Sequence, residues 1–184
     1  VLDASAEDLH EWREAGLGVA SLGELAVVLL AGGQGTRLGS SAPKGMYDIG
    51  LPSGRTLFRL QAERLAKLMA MSSEEANQGA PVRVPWYIMT SPHTNAATEK
   101  YFQENEYFGL DKADVTFFQQ GSLPCFTPEG KIIMESRGTM ATAPDGNGGI
   151  YAALHASGVI DDMQTRGVKH VYAYCVDNAL VKVG

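Results

Sequence analysis

The sequence predicts an α/β domain: a mostly parallel sheet flanked by helices and interrupted by one inserted β-hairpin. Three observations predict it. Apolar runs of strand length recur at Leu25–Leu29, Val84–Met89, Val115–Phe118 and Val168–Val176, and stretches of helical periodicity fall between them. Leu25–Leu29 is unbroken by polar residues, as a strand covered on both faces is. Between the third and fourth runs, Pro124–Met134 alternates around Pro128-Glu129-Gly130-Lys131, a hairpin signature.

Taken in order, Ser5-Ala6-Glu7-Asp8 opens a helix predicted to reach Ala15, with Ser5 as its cap and acids in its first turn. Leu9 and Trp12, three apart, are expected to dock it on a neighbour, so residues 1–22 read as an N-terminal helical arm. Gly16, Gly18 and Gly23 mark the turn into the first strand, and residues 23–184 read as one unit without an internal boundary. Thr56–Met71 carries Phe58, Ala62, Leu65 and Met69 at helical spacing, with Arg59, Glu63, Arg64 and Lys67 on a solvated face. Ser72–Ala80 reads as a polar loop, and Pro85 sits near the start of its strand, where proline is tolerated. Thr90–Thr94 turns into a helix over Asn95–Glu104, with His93 a cap or surface residue. Pro144–Gly149 is a turn, Ile150–Ser157 a helix, and Asp177-Asn178 ends the last strand.

Composition narrows the function. A net charge of −6 argues against nonspecific nucleic-acid binding and against an anionic membrane surface. No apolar run approaches the roughly 18 residues that a membrane helix needs. Cys125 and Cys175 stand 50 residues apart with no CxxC and no histidine at metal spacing, so they read as reduced thiols of a cytoplasmic protein. Glycine makes up 21 of 184 residues, about 11% against a usual value near 7%, which predicts many tight turns and close backbone approaches.

The chemistry gathers behind the first strand, in Leu30-Ala31-Gly32-Gly33-Gln34-Gly35-Thr36-Arg37-Leu38-Gly39 and Pro43-Lys44-Gly45. Four glycines in eight residues, Gly32 to Gly39, free backbone N–H groups to converge on phosphate oxygens. Thr36 adds a hydroxyl, and Arg37 and Lys44 add positive charge. A Walker A loop is excluded because Gly39 is followed by Ser40 and Ser41. The dinucleotide fingerprint fails because Leu38 stands where its third glycine belongs. A chain-reversing turn would need neither Arg37 nor Lys44, so phosphate binding is the better reading. Beyond the carboxyl ends of the other strands lie Gln119-Gln120, the Asp145–Gly149 turn and Asp177, and ligands of such sheets bind at those ends. The Gln120 amide can donate and accept against a nucleobase edge, or simply close a strand end. Asp177 suits Mg²⁺ or a turn that bonds its own backbone.

The run from Leu30 to Gly39, followed by Pro43-Lys44-Gly45-Met46-Tyr47 and the stretch to Phe58, resembles the sugar-nucleotide pyrophosphorylase superfamily of nucleotidyltransferases. Gln34, Pro43–Tyr47 and Ala143-Pro144-Asp145-Gly146-Asn147-Gly148-Gly149 resemble its eukaryotic UDP-N-acetylhexosamine pyrophosphorylase branch, from about Leu9 onward. The resemblance implies a Rossmann-like nucleotide-diphospho-sugar transferase fold. It implies a reaction of UTP with N-acetylglucosamine 1-phosphate, giving UDP-N-acetylglucosamine and pyrophosphate, with Mg²⁺ as cofactor. Related alternatives are a pyrophosphorylase of other or broader sugar specificity and a non-catalytic nucleotide-sugar-binding homologue.

By the same resemblance, Gly32, Gly33, Gln34, Gly35 and Thr36 bind the nucleotide, and Gln120 and Gly146 read the uracil. Asn147 faces the sugar, Arg37 and Lys44 are catalytic, and Asp177 binds the metal. Partners reduce to these small molecules, with no nucleic acid and no membrane. The family is more than twice this length, so residues 23–184 read as the nucleotide-binding part of a longer catalytic domain whose second metal ligand lies beyond Gly184. Two departures stand out: Met140-Ala141-Thr142-Ala143 before the glycine turn, and Ser53-Gly54-Arg55-Thr56, which lacks a basic residue common in that loop.

Overall fold

The computed structural model describes residues 3–36, 39–76 and 81–182. Helix α1 (Ala6–Ser21) is capped as expected: the Ser5 hydroxyl accepts from the Asp8 N–H, and the Asp8 carboxylate accepts from the Ser5 N–H. It runs a turn and a half past the predicted end at Ala15, through Gly16 and Gly18. A helical glycine costs only about 1 kcal/mol, and buried Leu17 and Ala20 offset that. Those two dock the helix on the core, while Leu9 and Trp12 stay half-exposed, contrary to expectation. Only Gly23, at φ +69°, makes the turn.

Strand β1 (Leu25–Leu30) is followed by the glycine loop and by α2 (Leu57–Ala76). Helix α2 reaches into the predicted polar loop, where Ser72 is fully buried and the Ser73 hydroxyl bonds back to the Met69 carbonyl. Next come β2 (Trp86–Thr90), α3 (Asn95–Glu104) and β3 (Val115–Gln119). Between α3 and β3, Glu106, Tyr107 and Phe108 all take left-handed φ of 50–56°. Nothing in the residue pattern anticipates this turn.

The inserted arm carries two ladders. Strand β4 (Ser122–Pro124) pairs with β7 (Thr142–Pro144), and β5 (Met134–Ser136) pairs with β6 (Thr139–Met140), both antiparallel. The predicted hairpin over Pro124–Met134 survives as one bridge, Phe126 to Ile132, around the Thr127–Lys131 turn. Then follow α4 (Ile150–Ala156), α5 (Val159–Thr165) and β8 (His170–Cys175). Helix α5 was not predicted: it is seven residues long and starts at Gly158 in a left-handed conformation.

The sheet order is β3-β2-β1-β8, every pair parallel, with Val28 opposite both Tyr87 and Ala173. The chain steps outward from β1 to β3 and then crosses back to β8, so its direction reverses at β1. Successive side chains of the strands feed opposite faces. Val27, Leu29, Trp86 and Ile88 meet α2 and α3, while Ala26, Val28, Tyr87 and Met89 meet α4 and α5.

At the amino ends of the strands, buried Asp114 accepts from Arg83 Nε (2.7 Å) and Arg166 Nη1 (3.2 Å). Arg83 also pairs with Asp111, and Arg166 with Asp162, which accepts from the Tyr87 hydroxyl at 2.6 Å. This network ties β2 and β3 to α5 at the end of the sheet away from the glycine loop. Asp114→Ala takes one of two carboxylate partners from each guanidinium and is expected to cost about 1–2 kcal/mol, read as a lower urea midpoint with unchanged slope. A loss below about 0.5 kcal/mol would show the network to be solvent-screened.

Candidate active site

The reversal at β1 opens a crevice at the carboxyl ends of β1 and β8, where ligands of open α/β sheets bind. The glycine loop enters it from β1. Its shape comes from internal bonds: Lys44 N–H to Gly33 carbonyl (3.1 Å), Gly35 N–H to Ala42 carbonyl (2.9 Å) and Gly39 N–H to Thr36 carbonyl (3.1 Å). An antiparallel bridge between Gln34 and Pro43 closes its base. The N–H groups of Gly32, Gly33 and Gln34 donate to no backbone carbonyl among the described residues, which leaves them free for an anion. Gly35 and Gly39 are spent on the loop itself, so fewer bare donors face the crevice than four glycines suggest. Arg37 lies outside the described residues.

Gly32 has a different duty. A β-carbon there would lie 2.7 Å from Gln120 Nε2 and 3.2 Å from its Oε1, so the amide rests directly on bare backbone. Gln120 is 7% exposed, and its N–H bonds the Thr90 carbonyl (2.9 Å), extending the β2–β3 ladder. Its side chain makes no hydrogen bond among the described residues. Gln119, the neighbour with the same chemistry, points out to solvent. The structure thus separates two glutamines that the sequence offered side by side.

Lys44 and Asp177, 133 residues apart, meet across the crevice: Lys44 Nζ donates to Asp177 Oδ2 at 3.0 Å. This bonded ammonium holds the Asp177 carboxyl below the ordinary carboxylate range, against the opposing effect of burial. Asp177 is kept in place from behind. The Val176 N–H bonds the Leu30 carbonyl (3.0 Å), and buried Gln61 Nε2 on α2 bonds the Val176 carbonyl (3.0 Å). Sequence reasoning missed Gln61, although a polar residue three after Phe58 on the apolar stripe was its signal. Gly45 was missed too: a β-carbon there would strike the Phe58 ring at 2.2–2.4 Å, so this glycine serves packing.

Gly146, at φ +80°, turns the chain so that exposed Asn147 reaches β8, with Nδ2 3.7 Å from Cys175 Sγ. An open groove of about 570 Å³ runs from Asn147 and Cys175 along Val171 and Ala173 toward Tyr151. A groove of about 640 Å³ between α1 and α2 is lined by Leu9, Trp12, Leu17, Leu68 and Met71, and it gathers none of the polar residues named above. Among the described residues no three His, Cys, Asp or Glu side chains cluster as a metal cage. The exposed Asp177 carboxylate, with one oxygen on Lys44, fits a Mg²⁺ that arrives on nucleotide phosphates, since such ions take one or two carboxylates.

A parallel sheet with an uncapped glutamine amide, free loop N–H groups and a lysine–aspartate pair at its switch point defines a nucleotidyltransferase-like α/β fold. Residues 4–183 match the family described as UTP–glucose-1-phosphate uridylyltransferase, and the chain belongs to that family. It is 54% identical over 96% of its length to UDP-N-acetylglucosamine diphosphorylase 1 of Arabidopsis thaliana, covering 35% of that protein. It is 52% identical over 97% of its length to UDP-N-acetylglucosamine pyrophosphorylase of Saccharomyces cerevisiae, covering 36%. Among solved structures, the uridine diphosphate N-acetylglucosamine pyrophosphorylase of Trypanosoma brucei superposes with a TM-score of 0.89 at 34% identity, over 96% of this chain and 36% of that one. The chain thus spans about a third of the length of the curated relatives it matches. No helix among the described residues is long and apolar enough to cross a membrane.

Proposed function

We propose that the chain forms the nucleotide-binding part of a uridylyltransferase that makes UDP-N-acetylglucosamine and pyrophosphate from UTP and N-acetylglucosamine 1-phosphate. The observation that carries this reading is the unpartnered Gln120 amide lying across Gly32, in a segment whose next residue, Gly121, accepts from the Asp145 N–H at the head of the Gly146–Asn147 turn. An amide held in that way can meet the alternating acceptors and donor of a uracil edge. Relatives at about half identity, named for this product, support the sugar.

In this reading a phosphate oxygen of the sugar phosphate attacks the α-phosphorus of UTP, and the bond to the β-phosphate oxygen breaks. The nucleophile is already an anion, so the protein aligns groups and neutralises charge instead of removing a proton. Gly32 and Gly33 lie under the nucleoside, Gly35 shapes the loop, Gln34, Thr36 and Arg37 hold the phosphates, and Asn147 faces the sugar. Lys44 neutralises the α-phosphate, and Asp177 holds Mg²⁺, which when bound adds further charge neutralisation. The family's own description favours a second reading, glucose 1-phosphate as the acceptor. Comparing turnover of the two sugar phosphates separates them.

Calorimetry on Gln120→Ala tests the base contact. UTP affinity is expected to fall about 10- to 100-fold, the scale of one or two lost hydrogen bonds, while pyrophosphate affinity holds. Equal losses for both ligands would reduce Gln120 to a structural residue.

A further inference from the structure

The Asp145 carboxylate sits where two glycines leave room for it. A β-carbon on Gly149 would fall 2.1 Å from Oδ1 and 2.3 Å from Oδ2, and one on Gly121 would fall 2.6 Å from Oδ2. The same residue's N–H donates to the Gly121 carbonyl at 3.1 Å, next to the Ser122–Pro144 pair that starts the arm. Oδ1 is buried and has no hydrogen-bond partner among the described residues. Among the described residues the carboxylate is therefore held by fit, its bulk filling the room that the two glycines leave.

That bulk lies between the two segments that flank the proposed base site. Gln120 directly precedes Gly121, and its amide is pressed onto Gly32. Gly146 and Asn147 follow Asp145, and Gly149 closes their turn at φ −62°, a conformation open to any residue. Gly149 is therefore glycine for the room it leaves, not for its backbone.

We infer that Asp145 is a positioning residue: its carboxylate, wedged between Gly121 and Gly149, sets the spacing of Gln120 from the Gly146–Asn147 turn and so the selectivity for the base. This rests on the uridine-nucleotide reading above. Cytosine exchanges the donor and acceptor pattern of uracil at two edge positions, so an amide packed in one orientation rejects it, whereas one given room to turn over can match either base.

The test measures UTP and CTP affinity by calorimetry, with thermal melts, on the protein and four variants. The unaltered protein is expected to prefer UTP at least about tenfold, the worth of one well-placed hydrogen bond. Asp145→Asn keeps the shape and should keep that preference. Asp145→Ala and Gly149→Ala, which empty and crowd the same space, should each erase most of it. In Asp145→Ala/Gly149→Ala the clash is gone, so the melting temperature should return toward that of the unaltered protein while the preference stays lost. Preference recovering together with stability in the double variant, or an unchanged preference in Asp145→Ala, would overturn the positioning role. No preference in the unaltered protein would instead overturn the uridine reading, and this role with it.

Discussion

Lys44→Ala is expected to lower turnover about 10²–10³-fold, the usual loss when a preorganised charged donor is removed from a developing transition state. The residue is well placed for that. Its backbone N–H is fixed to Gly33, and its ammonium already faces the crevice in a pair with Asp177. The Lys44 side chain is 27% exposed and that of Asp177 56%, so the pair itself is worth at most about 1 kcal/mol. Stability should therefore barely move. Pyrophosphate release measured beside a thermal melt makes the distinction, and an unchanged kcat with a collapsed melting temperature would leave Lys44 a purely structural role. Lys44→Arg should restore only part of the rate, because a planar fork replaces a compact point charge.

Phe102→Ala is expected to be the most destabilising single change, at about 3–5 kcal/mol. The ring is fully buried on α3, with centroids 5.1 Å from Phe58, 5.5 Å from Trp86, 5.0 Å from Phe108 and 5.1 Å from Phe117. Three of those four contacts are edge-on, an arrangement that adds to simple burial. Removal leaves a void that five elements cannot all collapse into. Urea unfolding reads the loss, and Phe102→Leu should recover more than half of it. A loss under about 1 kcal/mol would mean that the cluster repacks.

The parallel sheet was legible because strands covered on both faces leave apolar runs such as Leu25–Leu30, and the phosphate loop because glycines and cations stand together in the chain. Short-range signals of that kind failed where tertiary packing overruled them. Gly16 and Gly18 look like a helix stop but are carried by the burial of Leu17 and Ala20. Val159 to Thr165 is too short to show a period, and it becomes helical against the sheet through Val159 and Met163. At the site, pattern suggested Lys44 and Asp177 separately, yet only the return of the chain to β8 makes them partners. The wedge at Asp145 was invisible for a similar reason, since it depends on empty space at Gly121 and Gly149.

The left-handed turn at Glu106–Phe108 carries a consequence for how this surface can change over time. Each such residue costs roughly 1–2 kcal/mol relative to ordinary backbone, and glycine at any of the three would remove that cost. Yet Tyr107 and Phe108 also feed the rings around Phe102, so a glycine there gives up packing as it relieves the backbone. Contact of those two rings with Phe102 offsets the backbone cost, so the mirror-handed turn and the aromatic cluster favour one another. Its residues are thereby coupled to α3, and drift in one is tolerated only when matched by compensating changes in the other.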